Sequence, residues 1–97
     1  MARFDVYRVD GDYYLDIQTN LLPSFGTRVV IPLVTPDLPI KPYRKLHPTF
    51  DIGGRRLMLA THLMVSVPER SLGSPVTSLY SQYEEIVAAL DMIFLGF

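Results

Sequence analysis

The sequence contains no cysteine at all. That excludes a disulfide framework, a thiolate nucleophile and Cys-ligated zinc, and it fits the cytosol. Histidine is nearly as scarce, with His47 and His62 alone and no HxxxH or HExxH spacing between them. No metal site and no cofactor are expected from such a pair. Each histidine reads as a surface or strand-end residue. No secretory leader is expected either, since Met1 to Asp5 already carries Arg3 and Asp5 without an apolar run. The longest apolar stretch, at the C-terminus, is broken by Glu84, Glu85 and Asp91, so it is no membrane span. A soluble cytoplasmic protein is the expectation.

Strong net charge is lacking too. The balance of −1 gives no general reason to expect nucleic acid, which rewards clustered Lys and Arg. The nine cations all lie at or before Arg70, however, and the last 27 residues carry only Glu84, Glu85 and Asp91 as charged side chains. The chain therefore has a basic centre and a mildly acidic end.

What is present is apolar and turn-rich. Ninety-seven residues, 48% of them hydrophobic, suffice for one domain (1–97) with a compact core. Phe4 to Val9 alternates apolar and polar residues, as does Tyr13 to Gln18, with Asp10-Gly11 between them. That pattern predicts an antiparallel hairpin. Leu21 to Gly26 reads as a loop holding Leu21, Leu22 and Phe25. Such residues usually tuck under a loop as a satellite core; the alternative is an exposed contact for a partner. Val29 to Leu33 predicts a strand buried on both faces, and Pro32 within it suits a bulge or an edge. Four prolines at 36, 39, 42 and 48, with Lys41, Arg44 and Lys45 among them, predict an irregular connection. Gly53-Gly54 predicts a second hairpin, and Met64 to Val67 one more strand. From Val76 to Phe97 the apolar residues recur at spacings of three and four, the signature of a helical face. Ser74 suits its N-cap, Pro75 its first position and Gly96 its stop, giving roughly 20 residues of helix. Strands followed by one closing helix make an α+β domain.

Chemistry is hard to assemble from these residues. No GxSxG elbow frames any serine, and Gly53-Gly54 precedes two arginines, not a phosphate-loop Lys. Asp10, Asp12 and Asp16 could suggest a carboxylate pair, but the hairpin places two of them in or beside the turn. Arg28 could serve RNA cleavage only with a second catalytic group nearby. Its plainer reading is a surface arginine paired with a neighbouring carboxylate. The oddity is the end: Asp91-Met92-Ile93-Phe94-Leu95-Gly96-Phe97 finishes on bulky apolar residues where termini are usually polar. Burial in the chain's own core and display to a partner both explain it.

Several segments together resemble the CcdB family of toxins. They are Phe4-Asp5-Val6-Tyr7, Leu15-Asp16-Ile17-Gln18, Leu21-Leu22, Gly26 to Leu33, Leu46-His47-Pro48, Asp51-Ile52-Gly53, Ser66-Val67-Pro68 and Asp91 to Phe97. Their common order and spacing cover nearly the whole chain. The resemblance implies an SH3-like antiparallel barrel with a long C-terminal helix, assembled as a homodimer. It implies a non-enzymatic toxin that binds the gyrase A subunit, traps gyrase on cleaved DNA and is neutralised by a cognate antitoxin. Carried over residue by residue, the gyrase-binding set is Leu21, Leu22, Asp91, Phe94, Leu95, Gly96 and Phe97. The antitoxin-binding set is Tyr7, Arg8, Phe94, Leu95 and Phe97. The family's best-known member has Trp at the position of Leu95 and Asn at that of Asp91, and its first hairpin is longer. Leu95 lacks the ring face on which an arginine stacks. Two alternatives accompany the gyrase reading: an endoribonuclease toxin of the MazF type on a related fold, and a non-toxic dimer that binds antitoxin only.

Overall fold

The computed structural model describes residues 2–23, 25–37 and 43–97. Lys41 of the basic cluster, Pro39 and Pro42 of the proline-rich connection, and Ser24 of the apolar loop lie outside the described residues.

The opening hairpin forms as its alternation predicts, from β1 (Asp5–Val9) and β2 (Asp12–Asp16). Val9 pairs with Asp12, which leaves Asp10 and Gly11 as a two-residue turn with φ of 51° and 86°. Two successive positive φ values give the turn a twist that matches its strands, and Asp and Gly tolerate that region best.

Strand β3 (Thr27–Val34) lies against β2, with Leu15 opposite Ile31. Two strands share its other side. In chain order, β4 (Thr49–Ile52) and β5 (Arg55–Leu59) make the second hairpin through Gly53-Gly54, and β6 (Val65–Pro68) follows. β6 pairs with residues Thr27 to Val30 of β3, and β5 with Leu33 and Val34. Pro32 sits where one partner ends and the next begins, and its carbonyl accepts from Ala60 N–H at 2.9 Å. The proline is thus in a central strand, not at an edge; its missing N–H falls in the gap between β5 and β6. The two-residue β7 (Thr77–Ser78) closes onto β1. The order β4-β5-β3-β2-β1-β7, with β6 beside β3, makes a nearly closed SH3-like antiparallel barrel.

The closing helix exists but starts later than Ser74-Pro75 suggests. α1 spans Tyr83–Leu95, 13 residues, after a 3₁₀ turn at Tyr80–Gln82. Residues 76 to 79 are instead held to the first strand: Val76 N–H donates to Val6 O and Leu79 N–H to Phe4 O, both at 2.8 Å. An unpaired edge of β1 captures β-branched Val76 and Thr77 before a helix can nucleate there. The C-terminal stop is where Gly96 predicts it. Gly96 takes φ 81° and its N–H reaches Asp91 O and Met92 O at the last turn.

Two cores result. Val6, Leu15, Ile31, Leu33, Phe50, Ile52, Leu57 and Leu59 face inward and pack with Ile86 of α1 and Leu79. On the opposite face of β1 and β3, Tyr7 and Val30 pack with Leu72. Successive strand residues point to opposite faces, so Tyr7, Asp16, Val30 and Arg28 share this second side.

Candidate functional site

The helix divides its residues sharply. Ile86 and Ala89 are buried and Val87, Leu90, Met92 and Ile93 half-buried, while Asp91, Phe94 and Leu95 face solvent. Phe94, Leu95 and Phe97 are 67%, 60% and 74% exposed, so the apolar tip is not used by the chain's own core. With Gly96 turning the backbone between them, three large apolar side chains stand out beside the Asp91 carboxylate.

The apolar loop gives the same outcome. Leu21 is 93% exposed, Leu22 50% and Phe25 63%, so the expectation of a satellite core under the loop is not met. The reason is visible in the anchors. Ile17 N–H donates to Val29 O at 3.1 Å and Glu69 N–H to Gly26 O at 2.9 Å, which tie both ends of the loop to the barrel. Between them Leu21 N–H bonds to Thr19 Oγ1 at 3.2 Å, a local turn that lifts the leucines from the surface.

On β1 the two residues expected to meet antitoxin part company. Arg8 is exposed, with its guanidinium 5.4 Å from the Tyr13 ring centroid. Tyr7 is wholly buried and presents no surface; its hydroxyl is sealed from water without a hydrogen-bond partner among the described residues. Burial, followed by the charges of Asp5 and Asp16, pushes the Tyr7 phenol up.

Arg28 is paired with a carboxylate, as expected, but it is not on the surface. Its Nη2 lies 2.7 Å from Asp16 Oδ2, and Nε donates to the same oxygen at 2.9 Å. Asp16 is therefore no turn residue like Asp10. Burial pushes its carboxyl up, against the pull of Arg28 and of the Gln18 N–H that donates to Oδ1. An arginine buried against Asp16 and also bonded to Gln18 O is committed to holding structure.

His62 is exposed, as its surface reading expects, but His47 is not. His47 is buried, its Nδ1 accepts from Tyr43 N–H at 2.9 Å, and its Nε2 lies 2.9 Å from His62 Nδ1. With Nδ1 an acceptor, neutral His47 carries its proton on Nε2 and donates it to His62. Burial, then the charge of His62, holds the His47 pKa below the ordinary value. Among the described residues no group of three or more His, Asp or Glu is placed to hold a metal ion.

The larger cavities lie elsewhere. One of about 500 Å³ is lined by Gly26, Glu69, Arg70 and Gly73, and one of about 430 Å³ adjoins Arg44, His47, Arg56 and Glu85. None of the predicted contact residues lines either. The tip and loop are protruding apolar surface, which suits a protein partner better than a small molecule. Sequence reasoning missed Arg3 and Asn20 beside the loop, where Arg3 N–H bonds Asn20 Oδ1 at 3.0 Å. Nothing in their spacing announces that contact. No helix among the described residues is long and apolar enough to cross a membrane.

A family model described as CcdB protein matches residues 3–96. The match runs through both hairpins, the anchored loop and the apolar tip as far as Gly96. The chain belongs to the CcdB family and is the toxin of a toxin–antitoxin pair.

Proposed function

We propose that this toxin binds the dimerisation domain of the gyrase A subunit and traps gyrase on cleaved DNA. The observation that carries the reading is the outward display of Phe94, Leu95 and Phe97 on a helix whose other face is fixed in the core. Interface affinity concentrates in a few large apolar anchors that are already rigid before binding. Leu21 and Leu22 extend the surface from the loop, and Asp91 and Gly96 complete it. The toxin acts without covalent chemistry. It stabilises one state of gyrase by binding that state more tightly than the others.

A homodimer brings two such tips to one shared surface, and a closed two-fold pair is the simplest assembly for so small a domain. The cognate antitoxin is a segment that folds on binding, covering Arg8 and the tip together. The protein works in the cytoplasm, where gyrase and its DNA are. Leu95 supplies apolar area but no ring face, so recognition here rests on packing against the phenylalanines, not on stacking an arginine.

Induction of the protein in bacteria tests the reading. Gyrase-linked DNA breaks should accumulate and should vanish in a strain whose gyrase A dimerisation domain is exchanged for a resistant one. Growth arrest with intact DNA and site-specifically cut messenger RNA would instead place the chain with the ribonuclease toxins.

A further inference from the structure

The loop bearing Leu21 and Leu22 leaves β2 at Asp16, and its first two carbonyls are both taken by arginine side chains. Arg3 Nε donates to Ile17 O at 3.1 Å, and Arg28 Nη2 donates to Gln18 O at 3.2 Å. The two arginines come from different segments, one before β1 and one at the start of β3. Further bonds tighten the same point: Gln18 Oε1 accepts from Val29 N–H at 3.1 Å, and Asn20 Oδ1 from Arg3 N–H at 3.0 Å.

Neither arginine is free to drift. Arg28 is held by the buried Asp16 carboxylate. Arg3 is held through Phe4, whose φ of 73° lies in the left-handed region that a bulky residue rarely adopts. The surrounding structure enforces that conformation. Phe4 is buried, its N–H donates to Asp16 O at 2.6 Å, and its carbonyl accepts from Leu79 N–H. The Arg3 guanidinium then lies 4.6 Å from the Phe4 ring centroid, within reach of Ile17 O.

We propose that Arg3 and Arg28 are positioning residues for partner binding: they clamp successive carbonyls at the base of the loop and so present Leu21 and Leu22 in a pre-ordered form. The proposal rests on the gyrase reading for the identity of the partner. A loop left loose would have to be ordered at the moment of binding, and that ordering lowers affinity without any contact being lost. Strain at Phe4 thus has a use, since it aims Arg3 back at the loop instead of into solvent.

The test compares the full-length parent with Arg3→Met and Arg28→Lys. Arg3→Met keeps a stem over the Phe4 ring and loses the Ile17 bond. Arg28→Lys keeps a charge beside Asp16 but has no fork to reach Gln18 O as well. Three quantities are measured: the thermal midpoint, amide exchange at Leu21 and Leu22, and affinity for the gyrase A dimerisation fragment. In Arg3→Met, exchange should rise and affinity fall by roughly ten-fold each, with the midpoint nearly unchanged. Leu21→Ala should then weaken binding less in the Arg3→Met background than in the parent, because a disordered leucine contributes less. Unchanged exchange, or faster exchange with parental affinity, overturns the clamp. If Arg28→Lys does not fold, Arg3→Met alone decides. If the parent itself does not bind the fragment, the gyrase reading has failed, and amide exchange still judges the clamp, with parental rates overturning it.

Discussion

The Arg28 guanidinium meets the Asp16 carboxylate at 2.7 Å with side chains only 8% and 0% exposed, a charge pair buried against the second core of the barrel. Two charges removed from water gain little net stability from each other, yet each depends on its partner being present. Removing Arg28 alone, as Arg28→Met, should destabilise the domain by about 3–5 kcal/mol. The double change Asp16→Leu with Arg28→Met should recover most of that loss. Urea denaturation of both variants checks this; a double variant no more stable than the single one would show that the pair itself supplies stability.

Acid should loosen the structure through His47. Its folded pKa lies below the ordinary histidine value of about 6.5, because burial and His62 oppose the charged form. Below that value the unfolded chain takes up a proton that the folded chain resists. Stability is therefore full above about pH 6.5 and falls as pH drops toward the folded pKa, by at most about 1.4 kcal/mol per pH unit for one proton. Protonation would also remove the Nδ1 lone pair that accepts from Tyr43 N–H. Arg44, Arg56 and Glu85 line the cavity beside His47. In His47→Asn, whose side-chain oxygen can accept from Tyr43, the slope between pH 7 and 5.5 should flatten. An unchanged slope would assign the titration to another group.

The tip and the inner face of α1 should respond oppositely to polar substitution. Changing Phe94, Leu95 and Phe97 together to Ser should shift the thermal midpoint by no more than a few degrees, since all three are largely exposed. Gly96 is left in place so that its bonds to Asp91 O and Met92 O still close the helix. Ile86→Asp puts a charge where the parent side chain is wholly buried and should unfold the domain. Thermal melts of both variants separate a displayed surface from a structural one.

Both hairpins were legible because Asp10-Gly11 and Gly53-Gly54 satisfy a local requirement for positive φ. The start of α1 was not. Ser74-Pro75 carries a good helix-start signal, but Val76 and Thr77 are claimed by the edge of β1, a competitor distant in sequence. The tip could be recognised as odd from composition, because bulky apolar residues at a chain end call for burial or a partner. The loop was ambiguous, since Leu21, Leu22 and Phe25 have the same composition whether tucked in or displayed. Burial of Tyr7 follows from a second core on the outer face of β1, built by Leu72 just after a distant 3₁₀ turn at Glu69–Ser71, which strand alternation alone does not announce. Arg3 was silent because its role depends on the backbone angle of Phe4 and on Ile17 arriving beside it.

The most direct test of the account is a cleavage reaction with purified gyrase, ATP and supercoiled plasmid, stopped with detergent and protease. The parent protein should convert plasmid to linear DNA carrying gyrase A at its ends, in proportion to toxin added. The folded triple variant at Phe94, Leu95 and Phe97 should yield no more linear DNA than gyrase alone, since three apolar anchors worth roughly 2 kcal/mol each amount to about 10,000-fold in affinity. Linear DNA produced equally by the parent and the triple variant would contradict the placement of the gyrase-binding surface. A parent that traps no cleaved DNA would contradict the gyrase reading itself.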